Sequence, residues 1–257
     1  MIIRDTQMEE LSKVPLRAFE DGMVEHLAEF SPPLFNVIKE DQMRVAVRFG
    51  IEKAERYGFN LRGPIRLYLE LMLLFGSHFD TDPQYPWTSK ILNDQNSTPQ
   101  MQRAEHLYEK TLDYQEKVSG NDAANTRKAL ENLSVMARNS TTISSNDFVA
   151  DIRREITRVF PQKASYIGEE GLTALINEGR DEARKYRFPT DRGEALMVVL
   201  MYAFGHGCPD DPLYPWISRT LNDERIIEPT ARAERLEKKA MTWLEQVLAI
   251  PYQGART

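Results

Sequence analysis

One loop-like segment of this chain occurs twice. Residues 76–87 read Gly-Ser-His-Phe-Asp-Thr-Asp-Pro-Gln-Tyr-Pro-Trp, and residues 205–216 read Gly-His-Gly-Cys-Pro-Asp-Asp-Pro-Leu-Tyr-Pro-Trp. Other matched residues keep the same spacing of 129 residues, among them Tyr57 with Tyr186, Phe75 with Phe204 and Trp87 with Trp216. Self-similarity at one fixed spacing is the signature of a repeated structural unit. The sequence therefore predicts a tandem duplication that covers nearly the whole chain.

The pattern of apolar residues predicts an all-α fold. No segment alternates apolar and polar residues for long enough to indicate a strand. Apolar residues instead recur every three or four positions, which is typical of helices packed on one side. In the first half this pattern predicts a helix with Leu16, Phe19, Met23, Leu27 and Phe30 on its apolar face, helices over about 40–57 (with Val45, Phe49 and Ala54), 64–75 and 100–118 (with Leu107 and Leu112), and a short helix through Ile91 and Leu92. The second half repeats this order.

The spacing of the repeat also predicts the domain organisation. We expect a first helical repeat over residues 1–120, a connecting segment over residues 121–145 and a second helical repeat over residues 146–257. Residues 124–137 within the connecting segment are themselves compatible with a helix. Because duplicated units commonly share an interface, we expect a pseudo-twofold arrangement in which the central helices of the two repeats pack together.

Composition narrows the class of protein. Of the 257 residues, 41% are hydrophobic and 28% are charged, a balance typical of globular proteins. The N-terminal residues carry charges where a signal peptide needs an apolar run, so we expect a cytoplasmic protein that does not bind a membrane. The net charge of −6 disfavours direct binding of nucleic acid, which requires clustered Lys and Arg. An acidic surface favours a basic protein partner.

Two sets of residues resemble catalytic or metal-binding patterns. His206 and Cys208 lie two residues apart and suggest a cysteine nucleophile, but Cys208 is matched by Phe79 in the first half, which favours burial as a small apolar side chain. His78, Asp80 and Asp82 alternate along the first loop, yet they lack the spacing of calcium or zinc sites. We therefore expect no catalytic residues, no metal and no cofactor.

The repeated segments offer two further interpretations. Asp82 and Asp211 each precede a proline and are expected to cap the structure that follows. The aromatic residues are expected to anchor the loops to the core, but aromatic and acidic side chains together are also typical of partner-binding surfaces. The candidate partner-binding residues are Asp80, Asp82, Tyr85, Trp87, Asp210, Asp211, Tyr214 and Trp216.

A group of residues in the first half carries a resemblance to a known kind of protein. These are the opening Ile-Arg-Asp-Thr-Gln-Met, Phe19-Glu20, His26-Leu27, residues 50–57 and 71–76, Phe79, Asp82-Pro83 and Pro86-Trp87. Over about the first hundred residues the chain resembles small, uncharacterised bacterial proteins encoded beside type VI secretion spike and effector genes. The second half matches them less well.

The resemblance implies a partner of a secreted toxin. The expected function is that of a non-enzymatic immunity protein, which neutralises its cognate toxin by covering the toxin's active site. A basic cleft, such as that of a nuclease, would suit the acidic surface. An adaptor that loads the effector is the alternative, and a hydrolase that depends on Cys208 or a metal is a further one.

Overall fold

The described part of the chain is built from α-helices joined by short turns, which confirms the all-α prediction. The computed structural model describes residues 5–138 and 147–249, except for the side chains of residues 5–15 and 138. The helices of the first half are α1 (Asp5–Phe30), α2 (Pro32–Arg56), α3 (Arg62–Phe75), α4 (Pro86–Asn93) and α5 (Gln100–Tyr114). Those of the second half are α6 (Ala124–Arg138), α7 (Phe148–Val159), α8 (Pro161–Lys185), α9 (Asp191–Phe204), α10 (Pro215–Leu221) and α11 (Pro229–Ala249).

The backbone repeats at the spacing found in the sequence. Helices α8 and α9 begin and end 129 residues after α2 and α3. Each long helix is broken at the same place, by Lys39 (φ 67°, ψ 170°) in α2 and by Gly168 (φ 76°, ψ 174°) in α8. Glycine adopts this conformation readily and lysine does not. The helix predicted to begin near residue 40 is thus the part of α2 that follows its break.

Matched aromatic clusters form the core beside the repeated segments. In the first half, the ring of Phe75 lies 4.6 Å from Tyr85 and 4.9 Å from Tyr114, measured between centroids. In the second half, Phe204 lies 4.5 Å from Tyr214 and 4.7 Å from Trp243. Tilted and edge-on ring pairs at these distances add to the energy gained from burying apolar area. The prediction that the loop tyrosines anchor to the core is confirmed.

Several residues predicted to be buried are exposed. Val45 is 50% exposed, Leu112 is 46% exposed, and Leu16 and Phe30 are 44% and 40% exposed. Val45 and Leu112 lie on the sides of α2 and α5 that face away from the buried residues of those helices. Phe30 is the last residue of α1, and Leu16 shows that helical periodicity alone does not decide burial. The neighbouring members of each pattern, including Met23, Leu27 and Leu107, are buried as predicted.

The central helices α3 and α9 meet at their C-terminal ends, whereas the sequence predicted that they pack against each other. The contact is made by Gly76 and Gly205, which share the same backbone conformation (φ 93°, ψ 154°). A Cβ atom on Gly76 would lie 2.4 Å from the carbonyl oxygen of Phe204, and one on Gly205 would lie 2.7 Å from that of Phe75. The two helix ends can approach this closely only because both residues lack a side chain.

This contact predicts a large loss of stability in Gly76→Ala and in Gly205→Ala. Each substitution combines an unfavourable positive φ with a steric overlap against backbone, and we expect each to lower the free energy of unfolding by about 3 kcal/mol or more. Urea unfolding followed by circular dichroism measures the loss.

The control is Gly22→Ala in α1, where a Cβ atom meets nothing within 4 Å. This variant should be as stable as the wild type or more stable by up to about 1 kcal/mol, because alanine favours helix. Equal effects of Gly22→Ala and Gly76→Ala would contradict the close approach.

Candidate functional site at the two repeated loops

The two repeated loops are tied together by a pair of buried aspartates. We call residues 76–85 the first loop and residues 205–214 the second loop. The carboxylate of Asp82 accepts a hydrogen bond from the backbone N–H of His206 at 2.8 Å, and the carboxylate of Asp211 accepts one from the backbone N–H of Ser77 at 2.7 Å. Both carboxylates are 2% exposed. The two bonds join matching positions in opposite directions, so each loop holds the other.

Each aspartate also closes its own turn. Asp82 accepts from the backbone N–H of Gln84, and Asp211 accepts from that of Leu213, both at 2.8 Å. A side chain that bonds to the N–H two residues later stabilises a tight turn. The predicted role as helix caps is therefore wrong, because each aspartate closes a turn and holds the opposite loop. Helices α4 and α10 begin after Tyr85 and Tyr214, without a side-chain cap.

Burial sets the ionisation of the two aspartates. Burial raises the pKa of Asp211 to about 6, although hydrogen bonds from Ser77 and Leu213 oppose the shift. Burial also raises the pKa of Asp82, against the effect of His206 and of the N–H groups that it binds. A buried carboxylate is tolerated when donors satisfy its oxygens.

Two histidines lie where the loops meet, and their environments differ. Burial and the nearby Lys53 lower the pKa of His78 to about 4. Burial also acts to lower the pKa of His206, but Glu178, whose Oε1 lies 2.8 Å from Nδ1, and Asp82 outweigh it and raise that pKa. The ring centroids are 6.4 Å apart. A neutral His78 therefore sits beside a His206 that favours its charged form.

A buried ion pair supports the first loop from α2. Lys53 Nζ lies 2.7 Å from Asp80 Oδ1, and the two side chains are 11% and 3% exposed. The hydroxyl of Tyr57 donates to the other oxygen of Asp80 at 2.9 Å. The matched positions of the second half carry Glu182 and Pro209. This ion pair is thus a feature of the first half alone.

These groups are engaged within the fold, which limits the chemistry they can perform. Cys208 is fully buried, and burial together with Asp211 raises its pKa well above the ordinary value. A nucleophilic cysteine requires the thiolate, which this environment disfavours. Among residues 5–138 and 147–249, no group of three or more His, Cys, Asp or Glu side chains is placed to hold a metal ion.

The structure places most of the predicted partner-binding residues in the interior. Asp80, Asp82, Tyr85, Asp211 and Tyr214 are buried, Trp87 and Trp216 are partly buried against the core, and Asp210 is exposed. A docked partner contacts exposed atoms. Partner binding therefore stays a prediction only for Asp210 and the two tryptophans, because the other five side chains lie inside.

The sequence reasoning missed the buried lysines. Lys53 and Lys163 look like ordinary surface residues in the sequence, but they are 9% and 5% exposed. Lys163 matches Leu34 at the spacing of the repeat. Lys163 could have been identified from the sequence, because the matched position in the first half is apolar.

Comparison of the chain with protein-family models, with curated proteins and with solved structures gives no match. Over the described residues, none of the helices combines the length and the apolar character needed to cross a bilayer. The class of protein that the structure defines is therefore an all-α protein with two interlocked loops, and its function has to be inferred from its own residues.

The ion pair predicts strong coupling between Lys53 and Asp80. Lys53→Met and Asp80→Asn each leave a buried partner uncompensated, and each should lower the free energy of unfolding by about 3–5 kcal/mol. The double variant should lose at least about 2 kcal/mol less than the sum of the single losses, because it leaves no buried charge unpaired. Urea unfolding of the four proteins measures this.

An exposed ion pair provides the control. Lys128 and Glu131 on α6 have side chains that are 69% and 46% exposed. Lys128→Met should change stability by less than about 0.5 kcal/mol. Additive losses in Lys53→Met and Asp80→Asn would show that the buried pair contributes no more than the exposed one.

Asp211 predicts a pH-dependent stability. Its pKa in the folded protein is about 6, whereas an aspartate in an unfolded chain titrates near about 3.9. Between these values the folded state binds the additional proton, so the contribution of Asp211 to stability falls as the pH rises from about 4 to about 6 and then levels off. The total change is up to about 3 kcal/mol.

Urea unfolding of wild type and Asp211→Asn between about pH 4 and pH 7.5 isolates this contribution as the difference between the two curves. The control Asp210→Asn removes the exposed carboxyl of the same loop and keeps the buried one. A difference between wild type and Asp211→Asn that is constant with pH would rule out a raised pKa for Asp211.

Proposed function

We propose that this protein is a non-enzymatic protein-binding protein of the cytoplasm, an immunity protein that neutralises a cognate type VI secretion toxin by covering its active site. The specific role follows from the resemblance of the first half to proteins encoded beside effector genes. One observation favours binding over catalysis: the two halves carry acidic residues at the same exposed positions. Three of the five such positions in the described part of the chain lie on the exposed faces of α2 and α8.

Among the described residues, five exposed positions are acidic in both halves. Three of them lie on α2 and α8, and the matched pairs are Glu40 with Glu169, Asp41 with Glu170 and Glu52 with Asp181. In each half the first two follow directly on the break in the long helix. The other two pairs are Glu105 with Glu234 and Glu116 with Glu245. Both halves keep a negative charge at these exposed positions, whereas only the first half has the buried ion pair of Lys53 and Asp80.

On each helix two of these acidic residues lie on one face. Asp41 and Glu52 are separated by about three turns of helix, and so are Glu170 and Asp181. We call these pairs the acidic stripes, namely Asp41 and Glu52 on α2 and Glu170 and Asp181 on α8. The exposed Arg48 lies between Asp41 and Glu52 and is paired with Glu20 at 2.9 Å. An acidic stripe attracts a basic partner and speeds its association.

A second observation favours a protein ligand. A shallow groove between α3 and α5 in the first half is lined by Leu67, Met101 and Tyr108, of which Met101 is 57% exposed and Tyr108 is 53% exposed. The positions matching Met101 and Tyr108 in the second half are Thr230 and Glu237. Exposed tyrosine and methionine are typical anchors of protein interfaces. In this proposal the groove supplies the apolar contact with the same toxin.

We further propose that the chain is a tandem duplication with pseudo-twofold symmetry, divided near residues 120 and 146. The equal spacing of α2, α3, α8 and α9 supports this. The reciprocal bonds of Asp82 and Asp211 support it as well, because a twofold axis between the loops exchanges one bond for the other. Two related stripes would then contact two parts of one toxin.

Charge reversal tests the proposed surface. The variant Asp41→Lys/Glu52→Lys/Glu170→Lys/Asp181→Lys should copurify poorly with the product of the adjacent effector gene. We expect an association rate at least about tenfold lower at low salt, because the steering charge is inverted. The rate should also depend less steeply on salt. Surface plasmon resonance at several ionic strengths measures both.

The matched control is Glu25→Lys/Glu29→Lys/Glu224→Lys/Glu228→Lys, which reverses four exposed charges on α1 and before α11, away from both stripes and from the groove. Tyr108→Lys tests the groove separately and should raise the dissociation rate. Equal loss of binding in the control and in the stripe variant would show that only net charge matters, which would contradict a defined acidic surface.

A toxicity assay separates the three candidate functions. Co-expression of the wild-type protein should rescue cells from the toxin, and the stripe variant should not. Stable binding without rescue would favour the adaptor. Loss of rescue in Cys208→Ala that remains folded and bound, or on removal of metal, would favour the hydrolase.

A further inference from the structure

A small apolar cavity lies beneath α6 in the second half. It has a volume of about 80 Å³ and lies between α6, α7, α8 and α9. Its walls include Ala129, Leu133, Ile156 and Val199, and its polar residues include Lys163 and Tyr202. A cavity with apolar walls and a single cationic side chain is the arrangement expected of a site for an amphipathic small molecule.

Lys163 is buried but has few partners. It is 5% exposed, and its Nζ donates a hydrogen bond to the backbone carbonyl of Tyr202 at 2.5 Å. The rings of Tyr202 and Tyr85 lie 4.7 Å and 5.6 Å from Nζ. Within the described residues, no carboxylate forms an ion pair with Lys163. An ammonium group has three N–H donors, so one carbonyl leaves it incompletely satisfied.

The fold does not require a charge at this position. The matched residue in the first half is Leu34, which is also buried. An unpaired ammonium in an apolar environment costs several kcal/mol compared with an apolar side chain. Asp82 acts on this ammonium electrostatically, but in the part of the chain that the structure describes no carboxylate forms an ion pair with Nζ. A lysine beside an apolar cavity is explained by a ligand whose carboxylate makes that direct contact.

We propose that this cavity binds a short-chain aliphatic carboxylate, whose carboxylate pairs with the Lys163 ammonium and whose chain packs against Leu133, Ile156 and Val199. The size of the cavity sets the length of the chain. One water-sized volume corresponds to about 10–15 Å³ on this measure, so the cavity holds about six non-hydrogen atoms. Butyrate has that size.

The ionisation of Lys163 agrees with this assignment. Burial lowers its pKa to about 8, while Asp82 acts in the opposite direction. The amine is therefore mostly protonated at neutral pH and can pair with an anion. A carboxylate bound beside it favours the charged form further.

Titration of the full-length protein with sodium butyrate tests the proposal. Methyl NMR should show saturable shifts at leucine, isoleucine and valine methyls of the cavity, with a dissociation constant below about 10 mM, a value within reach of a ligand of this size. Butyramide, which has the same shape without the charge, should bind at least about tenfold more weakly, because it loses the charged hydrogen bond. Propionate and hexanoate should both bind more weakly than butyrate.

Two variants separate charge from volume. Lys163→Met keeps the cavity and removes the ammonium, whereas Ala129→Leu keeps the ammonium and fills the cavity. Both should lose butyrate binding by at least about tenfold, and circular dichroism reports whether each is folded. If Lys163→Met does not fold, the comparison of butyrate with butyramide on the wild type decides.

Three results would overturn the proposal. These are shifts that stay linear up to about 100 mM butyrate, well above the affinity expected for six atoms, equal binding of butyramide and butyrate, or unchanged binding in folded Ala129→Leu. The site does not depend on the acidic stripes, so butyrate binding and toxin binding can succeed or fail independently.

Discussion

The structure depends on an exchange of hydrogen bonds between two loops that would otherwise present unsatisfied N–H groups. Where α3 and α9 end, the chain turns through a glycine, and the next N–H points into the interior. Asp211 and Asp82 accept these two N–H groups from the opposite loop. A buried N–H without an acceptor costs as much as a lost hydrogen bond or more. Each loop is therefore stable in this conformation only while the other is present.

The same exchange fixes the packing around it. Because Gly76 and Gly205 have no side chains, the ends of α3 and α9 come into backbone contact, and the residues just before them, Phe75 and Phe204, are drawn into the two aromatic clusters. Polar bonds thus set the position, while burial of the aromatic rings stabilises it. Neither contribution accounts for the arrangement alone.

The helices and the matched loops could be predicted from the sequence, because helical periodicity and fixed spacing are local signals. The long second helix was predicted from residue 40 because Pro32 and the break at Lys39 hide the preceding turns. Val45 and Leu112 were assigned to the core because both are apolar. Their positions place them on the sides of α2 and α5 that face away from the buried residues, and both are exposed.

The candidate site could not be predicted in the same way. An aspartate in a loop rich in turn residues normally lies on the surface, and the donors that make burial of Asp82 and Asp211 tolerable lie on the opposite half of the chain. Three of the four acidic residues expected on a docking surface, Asp80, Asp82 and Asp211, are thus buried within the fold, and Asp210 is exposed. The acidic residues that the two halves share at the surface lie mostly on helices, where exposed charges are the ordinary case and do not by themselves indicate a binding site.

Differences between matched positions carry information that neither half carries alone. Where both halves keep a residue, as with the buried aspartates, the fold requires it. Where they differ in the interior, as with Leu34 and Lys163, the fold accepts an apolar residue, so the charged one needs another reason. Because a buried charge without a direct ion pair lowers stability, and because the matched position shows that the loss is avoidable, such a residue is a candidate for binding a ligand.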